Sequence, residues 1–423
     1  MKGIARHNIL RGEMRLETRA VHSGRAPRGR GDQEGGRPHA TPIDLSTTYG
    51  FERTSVVASS LDRLIEGEDD VPNRVYGRLS NPNGTRLEHA VAALEGAEDA
   101  VAFASGMAAI TAAVMASRSA GVGADENIVA IRPTYGGTDH LFSSGLLGPR
   151  VRWVEEAEVD VAIDESTLMV FAETPANPTL HLVDIAAVAR AARSASNRIG
   201  RLVPVAIDST FATPVLQQPL PLGADLVIHS ATKFIGGHGD AMGGIVATSR
   251  EWSRRLRQVR IATGGLMHPM AAYLLHRGLQ TLPVRVRAQE AGARELAARL
   301  GGHPAVRRVY FPGVDDDARS RRLLATQQSG PGSVLSFCID GGAHAAARMV
   351  EALRLITPAV SLGSVDSLIQ APALLTHRIV DAEDRQRIGI PDDLLRLSVG
   401  LESPEDLWED VERGLTAARM SAA

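Results

Sequence analysis

Lys233 stands in a segment whose residue types suit covalent chemistry. The apolar run at residues 226–228 predicts a short buried strand, and Ser230 and Thr232 follow it just before the lysine. A lysine amine at the end of a buried strand, beside hydroxyl groups, is placed to form a Schiff base with a carbonyl compound. Most lysines are solvated surface residues, so this position alone does not distinguish a catalytic lysine from an ordinary one.

Four more turns rich in polar or glycine residues occupy equivalent places in the chain. Each follows an apolar run that predicts a strand, and helical patterns separate several of these runs. The turns are Ser105-Gly106-Met107 after residues 100–103, Tyr135-Gly136-Gly137 after 128–131, residues 173–178 with Glu173 and Asn177 after 168–172, and Asp208-Ser209-Thr210 after 202–207. Strands that alternate with helices form parallel sheets, which bind ligands at the edge where their strands end. We therefore expect the five turns to form one site.

Two of these turns offer groups that suit a phosphate. The helix expected after Ser105 and Gly106 presents free backbone N–H groups and the positive end of its dipole. Ser230 and Thr232 can donate hydroxyl hydrogen bonds to the same group. The sequence therefore predicts a phosphate subsite between the two turns.

Asp208 and Tyr135 suit an aromatic ring bound beside that phosphate. Asp208 follows an apolar strand, so we expect it to be buried and to need a partner such as a protonated ring nitrogen. Tyr135 offers a flat face for stacking and a hydroxyl for proton transfer. Taken singly, Asp208 could be a turn-forming residue and Tyr135 a packing residue. Together with Lys233 they favour a site for pyridoxal 5′-phosphate (PLP), with Lys233 as its covalent partner.

Composition excludes several other classes of protein. The chain has 423 residues, 44% of them hydrophobic and 22% charged, which is typical of a globular enzyme of two or three domains. A net charge of -3 argues against a nucleic-acid partner. The single cysteine, Cys338, excludes an intramolecular disulfide and a multi-cysteine metal site, and we expect no metal. No apolar stretch reaches the ~18–20 residues of a membrane span, and no signal peptide is evident, so we expect a cytoplasmic location.

The order of the predicted helices and strands along the chain, with its changes in composition, predicts an α/β fold with three parts. Residues 1–80 form an N-terminal arm, whose Arg- and Gly-rich start (1–40) is either a tail or a segment wrapped around a partner subunit. Residues 81–284 form a large cofactor-binding domain with a mostly parallel, seven-stranded sheet. Residues 285–423 form a smaller α+β domain. Its predicted helices are residues 285–300, 344–355 and 406–418, and its predicted strands are 334–339 and 395–399.

Six motifs spread over most of the chain resemble those of a known enzyme family. They are Tyr76-Gly-Arg78-Leu-Ser-Asn81-Pro82, Ser105-Gly106-Met107, residues 173–178, His229-Ser-Ala-Thr-Lys233, residues 277–282 and Arg396-Leu-Ser-Val-Gly400. The family is that of the Cys/Met-metabolism PLP enzymes, which includes cystathionine γ-synthase, cystathionine γ-lyase and methionine γ-lyase. The resemblance implies the fold-type-I architecture, similar to aspartate aminotransferase.

The resemblance also implies a role for individual residues. Lys233 carries PLP and later moves protons, Asp208 pairs with the ring nitrogen, and Tyr135 stacks on the ring. The remaining cofactor contacts it implies are Ser105, Gly106, Met107, Ser230 and Thr232 around the phosphate, with Glu173, Asn177 and Thr210 in the adjoining turns.

Further residues implied by the resemblance concern the substrate and the partner subunit. Arg396, helped by Ser361, binds the carboxylate of a small amino-acid substrate as a bidentate fork. Tyr76 and Arg78 reach the phosphate of the neighbouring subunit. The expected assembly is therefore a homotetramer, a dimer of dimers in which each dimer shares its active sites.

Two substrate-side positions depart from the family pattern. Gly137 stands where methionine γ-lyases usually carry a cysteine, and we expect it to leave room for a bulkier γ-substituent. Val360 stands where cystathionine enzymes carry a glutamate, which predicts a more apolar pocket. We expect both to belong to the substrate site of an enzyme with a less usual substrate, with specialised metabolism as a setting.

The expected activity is γ-elimination or γ-replacement on a sulfur-containing or homoserine-derived amino acid, as in methionine or homocysteine γ-lyases. Cystathionine γ-synthase, cystathionine γ-lyase and O-acylhomoserine sulfhydrylase activities are alternatives within the family. A β-lyase or transaminase would use the same fold, because the fold does not determine the reaction. The third alternative is a non-enzymatic PLP-binding regulator, against which Lys233, Tyr135 and Arg396 argue.

Overall fold

The computed structural model describes residues 14–25, 38–69, 71, 73–118, 125–314 and 318–419. Residues 1–13 and 26–37 of the predicted arm lie outside this part of the chain. Within it, no helix combines the length and apolar character needed to cross a bilayer. The described part of the arm contains the helices α1 (Leu16–His22) and α2 (Thr54–Ile65).

A seven-stranded sheet forms the centre of the larger part of the molecule. Its strands are β1 (Asp99–Phe103), β2 (Asn127–Ile131), β3 (Arg150–Val154), β4 (Thr167–Glu173), β5 (Val205–Asp208), β6 (Leu226–His229) and β7 (Gly244–Thr248). Their order across the sheet is β1-β7-β6-β5-β4-β2-β3, and only β7 runs against the others. The connection from β6 to β7 consists of turns and contains no helix of the kind that usually joins parallel neighbours. The predicted mostly parallel, seven-stranded sheet is confirmed.

Helices cover both faces of this sheet. They are α3 (Pro82–Glu95), α4 (Gly106–Ala116), α5 (Gly136–Ser143), α6 (Val159–Ala162), α7 (Ile185–Ile199), α8 (Thr213–Leu216), α9 (Arg250–Thr263) and α10 (Pro269–Leu279). Every residue of β4 is buried, with Met169 and Phe171 in one apolar cluster and Val170 and Ala172 in the other. Alternate side chains of a central strand thus enter two cores, as a doubly covered parallel sheet requires.

One strand begins later than its apolar pattern predicts. The predicted strand at residues 202–207 starts in the structure at Val205. Pro204 has no N–H group to donate to a neighbouring strand, and Leu202 is exposed. The start predicted at 202 is therefore wrong, whereas the end of the strand, which carries Asp208, matches.

A second sheet of five strands forms the core of the C-terminal part. Its strands are β8 (Val306–Tyr310), β9 (Val334–Ile339), β10 (Thr357–Pro358), β11 (Leu368–Gln370) and β12 (Leu394–Ser398), in the order β10-β11-β12-β9-β8. Its helices are α11 (Leu282–Gly301), α12 (Ala318–Gln327), α13 (Gly342–Glu351), α14 (Ala382–Arg387) and α15 (Pro404–Arg419). The predicted smaller α+β unit is present, and Cys338 is buried in it. The division at residues 80 and 284 stays a prediction.

Candidate active site

Three of the predicted polar turns are neighbours because their strands are neighbours. Glu173 at the end of β4 lies opposite Asp208 at the end of β5, and Asp208 lies opposite Ile228 in β6. The parallel direction of the three strands brings their carboxyl ends to one edge of the sheet. The turn that carries Lys233 follows β6 directly. The sheet thus places an amine and two carboxylates at the same edge.

Asp208 is a buried carboxylate in a short chain of hydrogen bonds. One of its oxygens accepts from the Thr210 hydroxyl at 2.5 Å and from the Thr210 backbone N–H at 3.0 Å. The Thr210 hydroxyl oxygen accepts in turn from the backbone N–H of Ser230 at 2.8 Å. Burial raises the pKa of Asp208, although the Thr210 bonds and the charge of His229 oppose that rise. A cation placed against this carboxylate would remove the cost of its burial.

Glu173 supports the two turns beside it. Its carboxylate accepts from the backbone N–H of Tyr135 at 2.7 Å and from that of Asn177 at 2.9 Å. Burial and the nearby charge of Asp208 raise the pKa of Glu173 well above its usual value. Both oxygens are therefore engaged in holding the backbone beside Tyr135 and Asn177. The predicted contact of Glu173 with the cofactor stays a prediction.

Lys233 contacts a residue from the C-terminal part of the chain. Its Nζ donates to the Ser361 hydroxyl at 2.7 Å. Burial, together with the charge of Arg396, lowers the pKa of Lys233 to about 8. Ser361 has a φ of 84°, a left-handed conformation that costs about 1–3 kcal/mol in a residue other than glycine. The fold thus maintains a strained backbone where the hydroxyl meets the lysine, and a larger fraction of Lys233 is neutral at physiological pH than of an ordinary lysine.

Arg396 is a buried cation surrounded by neutral acceptors. The residue is 2% exposed; its Nη1 donates to the Asn177 side-chain oxygen at 2.9 Å, and its Nη2 donates to the Ser361 carbonyl at 2.6 Å. Its Nε is buried and has no hydrogen-bond partner within the described residues. Burial lowers the pKa of Arg396 to about 10, and the charge of Glu173 only partly offsets this effect. The guanidinium therefore remains available to a carboxylate.

The residues predicted to form a phosphate subsite lie close together, with one difference from the expected contacts. Ser105 caps α4, because its hydroxyl accepts from the Ala108 N–H at 3.1 Å. A Cβ atom on Gly106 would lie 3.0 Å from the Ser230 Cβ and 3.1 Å from its Oγ, so only glycine leaves this space open. The Thr232 hydroxyl, in contrast, donates to the Gly243 carbonyl at 3.2 Å and accepts from its N–H at 3.0 Å.

These groups fit PLP. The cleared space between Gly106 and Ser230 at a helix N-terminus suits a phosphate. Burial raises the pKa of Asp208, and a protonated ring nitrogen would supply a cation beside its carboxylate. Lys233 provides an amine whose lowered pKa favours covalent bonding to an aldehyde. The helix N-terminus as donor, Asp208 as acceptor and Lys233 as nucleophile are thus all present at one edge of the sheet.

Comparison with known proteins agrees with this fit. The profile of a family described as Cys/Met metabolism PLP-dependent enzyme matches residues 17–416. The chain belongs to this family. An L-methionine gamma-lyase of Brevibacterium sandarakinum is 50% identical to it over 411 residues, 97% of this chain and 99% of the relative. An O-succinylhomoserine sulfhydrylase of Pseudomonas aeruginosa is 38% identical over 409 residues, 95% of each protein.

The solved structures give the same result for the fold. A cystathionine gamma-lyase of Micromonospora echinospora has a TM-score of 0.81 and 39% identity, over 95% of this chain and 99% of that one. The predicted family, the fold-type-I architecture and the dependence on PLP are confirmed. The roles assigned to individual residues stay predictions that the geometry above supports.

Gly137 lies directly beside the ring of Tyr135. A Cβ atom at this position would lie 2.5 Å from the Cε1 of Tyr135, because the tyrosine ring folds over the glycine. Tyr135 itself is 40% exposed and accessible at the mouth of the site. Room for a bulky γ-substituent beside Gly137 therefore requires the Tyr135 ring to move, and the expectation stays a prediction.

Val360 and Ser361 line an open cleft of about 570 Å³ next to the lysine. The cleft also contains His238, Asp240 and Asp366, so its lining is more polar than Val360 alone predicts. Val360 forms part of the wall of this cleft, and the expectation of a more apolar substrate pocket at Val360 stays a prediction. A cationic substituent could meet carboxylates here.

Tyr76 and Arg78 lie apart from this cluster within one chain. Arg78 donates to the Ile261 carbonyl at 2.8 Å, and its guanidinium carbon is 5.6 Å from the Tyr76 ring centroid. Tyr76 is 42% exposed. The two residues form an exposed pair next to α9, and their contact with the site of a neighbouring subunit stays a prediction.

Sequence reasoning missed a set of contacts made by the C-terminal part. Gln370 faces Arg396, and the imidazole of the fully buried His377 lies 3.1 Å from the carbonyl oxygen of Thr134. Thr134 directly precedes Tyr135. The sequence pattern offered no signal for these contacts, and the one between His377 and Thr134 joins positions 243 residues apart.

Proposed function

We propose that this protein is a PLP-dependent γ-lyase that eliminates the γ-substituent of methionine or of a related amino acid derived from homocysteine or homoserine. The contact between Lys233 and Ser361, beside an Arg396 without a carboxylate partner, carries this proposal. The proposed reaction needs a proton acceptor and a carboxylate receptor close together, and Lys233 and Arg396 would supply them. The similarity to an L-methionine gamma-lyase at 50% identity supports the same conclusion.

Each residue has a defined task in this reaction. Arg396 binds the substrate carboxylate and so orients the α-carbon toward Lys233. Lys233, whose lowered pKa makes its neutral form more accessible at physiological pH, accepts the α-proton. The Tyr135 hydroxyl gives a proton to the departing γ-sulfur. PLP supplies the electron sink that stabilises the carbanion at the substrate α-carbon. With methionine, the substrate and water become methanethiol, 2-oxobutanoate and ammonia.

γ-Replacement is a second candidate, because the open cleft beside Val360 can admit a nucleophile. The similarity to an O-succinylhomoserine sulfhydrylase is lower, at 38% identity. Elimination and replacement share the first half of the reaction, up to loss of the γ-substituent. In elimination water then releases the keto acid, whereas in replacement a thiol takes the place of the γ-substituent. The polar lining of the cleft is compatible with both, so the products decide between them.

A substrate panel tests the proposal. The PLP-loaded protein is incubated with methionine, homocysteine, cystathionine and O-acylated homoserines, with and without a thiol, and the products are identified by mass. We expect a thiol and a 2-keto acid from methionine or homocysteine. A keto acid that retains the γ-substituent would indicate a transaminase, and release of the β-substituent a β-lyase. Absence of any product would leave a PLP-binding regulator and overturn the proposal.

We further propose that the active site is shared within a dimer in a cytoplasmic homotetramer, with the chain divided at residues 80 and 284. Tyr76 and Arg78 support the shared site, since both are exposed and lie apart from the Lys233 cluster of their own chain. Light scattering measures the mass of the assembly. A monomer with full activity would contradict the shared site.

A further inference from the structure

Gln370 ends strand β11 directly opposite Arg396 in strand β12. Its amide is oriented by its neighbours, and its oxygen accepts from Arg396 Nη1 at 3.1 Å and from Nη2 at 2.8 Å. Gln370 is 2% exposed, so these bonds are shielded from water. A neutral oxygen therefore fixes the orientation of the guanidinium and leaves its charge uncompensated.

His377, seven residues further on, makes a contact with the loop that carries Tyr135. Its Nε2 donates to the Thr134 carbonyl at 3.1 Å, and the residue is fully buried. Burial lowers the pKa of His377 to about 4, so the imidazole is neutral at physiological pH and donates from one nitrogen only. The Thr376 hydroxyl lies 3.1 Å from the His377 Nδ1 and 3.1 Å from the Gln370 oxygen. Gln370, Thr376 and His377 thus form one connected group.

Close packing adds to these hydrogen bonds. A Cβ atom on Gly136 would overlap the Thr376 carbonyl oxygen and would lie 3.2 Å from the His377 Cα. The backbone that follows Tyr135 therefore rests directly on the segment that contains Thr376 and His377. This segment contacts the tyrosine loop at Thr134 and Gly136, on both sides of Tyr135.

We propose that Gln370 and His377 are positioning residues that set the carboxylate-binding Arg396 and the Tyr135 loop relative to each other. The inference rests on the proposed roles of Arg396 and Tyr135. Gln370 acts through the guanidinium, so its loss weakens substrate binding. His377 acts through the loop, so its loss slows the step that uses the Tyr135 hydroxyl. The segment 370–377 thereby couples recognition of the substrate to protonation of its leaving group.

The test separates the two effects by kinetics. Gln370→Met keeps the length of the side chain but removes the acceptor, and we expect KM for methionine to rise at least tenfold while kcat changes less than threefold. His377→Leu removes the donor, and we expect kcat to fall at least tenfold with a smaller change in KM. His377→Gln retains a donor and should recover part of the loss in kcat. Gln370→Glu places a carboxylate against Arg396 that would compete with the substrate carboxylate, so it should not restore KM.

Asp384→Asn serves as a matched control, because Asp384 contacts the same tyrosine loop from helix α14. Asp384 accepts from Arg132 Nη1 at 2.8 Å, and Arg132 precedes Tyr135 by three residues and retains two bonds to Asp139. We expect kcat and KM of this variant to stay within twofold of the wild type. A control effect as large as that of His377→Leu would mean that any loosening of the loop has the same result, and would overturn the specific role of His377.

Binding measurements make the result independent of the reaction type. Norleucine carries no leaving group, and its binding is followed by the absorbance of the bound cofactor. We expect Gln370→Met to weaken norleucine binding at least tenfold, with PLP affinity and unfolding midpoint unchanged, even if the panel shows a different reaction. Unchanged norleucine binding, or equal losses in KM, kcat and unfolding midpoint in all variants, would overturn the proposal. A wild type that binds norleucine but eliminates nothing would instead contradict the proposed function alone.

Discussion

Gly136→Ala is a small change with a large expected effect on activity. The added Cβ would overlap the Thr376 carbonyl oxygen and would lie 3.1 Å from the Thr376 carbonyl carbon and 3.2 Å from the His377 Cα. Non-bonded carbons prefer about 3.5–4.0 Å, so the two backbones must separate by roughly 1 Å once the oxygen is included. His377 is fully buried, and the tyrosine loop is bordered by solvent at Tyr135, so we expect the loop to move.

The magnitude follows from this displacement. A misplacement of about 1 Å near reacting groups costs on the order of 100-fold in rate, so we expect kcat/KM for methionine to fall roughly 100-fold. Overpacking typically costs about 1–3 kcal/mol of stability, which would lower the unfolding midpoint without preventing folding. Steady-state kinetics and thermal unfolding of the same preparation measure both quantities.

Two other glycines provide controls for this prediction. A Cβ on Gly84, in helix α3, would meet nothing within 4 Å, so Gly84→Ala should retain activity within about twofold and gain up to about 1 kcal/mol of stability. At Gly137 the added Cβ meets the Tyr135 ring instead of backbone, and an exposed ring can turn away. We therefore expect Gly137→Ala to lose less activity than Gly136→Ala. If Gly136→Ala keeps more than about a third of the activity, the contact between loop and segment is not rigid and the reasoning fails.

Three further predictions concern the lysine, the partner subunit and the substrate. Lys233→Ala should lose the visible absorbance of bound PLP and all turnover. In wild-type protein the rate of covalent PLP capture should rise with pH and level off above about pH 8. The reason is that burial lowers the pKa of Lys233 to about 8 and only the neutral amine attacks. A plateau reached only above pH 10 would contradict this. Arg78→Ala and Lys233→Ala subunits, each inactive alone, should regain partial activity when mixed, since one of the two sites then carries neither lesion; no recovery after verified subunit exchange would refute the shared site. Val360→Glu should raise the kcat/KM of cystathionine relative to that of methionine about tenfold, which equals about 1.4 kcal/mol. Val360→Gln, the uncharged control, should leave this ratio unchanged. If Val360→Glu also leaves the ratio unchanged, this position does not determine specificity.

The positions of the functional turns could be predicted because they depend on local patterns. An apolar run that ends in a polar residue indicates both the strand and the edge at which it stops, which placed Asp208 and Lys233 correctly. The direction of β7 and the start of β5 were not accessible in this way. They depend on how the chain returns after β6 and on the missing N–H of Pro204.

Contacts across the molecule were predictable only through the resemblance to a family, or not at all. Ser361 contacts Lys233 although the two residues are 128 positions apart in the sequence. The local sequence does not predict the left-handed backbone conformation of Ser361. The ring of Tyr135 fills the space beside Gly137 because of its rotamer, which residue identity does not reveal. Gln370 and His377 have no chemical role of their own, and only their partners, Arg396 and the Thr134 carbonyl, make them significant.

The buried arginines show why residue type is a weak guide and charge balance a strong one. Arg257 is as buried as Arg396, and its guanidinium donates to Asp99 at 2.7 and 3.0 Å. Burial alone would lower the pKa of Arg257, but the surrounding carboxylates outweigh it and raise the pKa. Among the described residues Arg396 donates hydrogen bonds only to neutral acceptors, and its pKa falls to about 10. Because an uncompensated buried cation is costly, a fold that keeps one must recover that cost elsewhere, and a substrate carboxylate is the partner that would do so during each catalytic cycle.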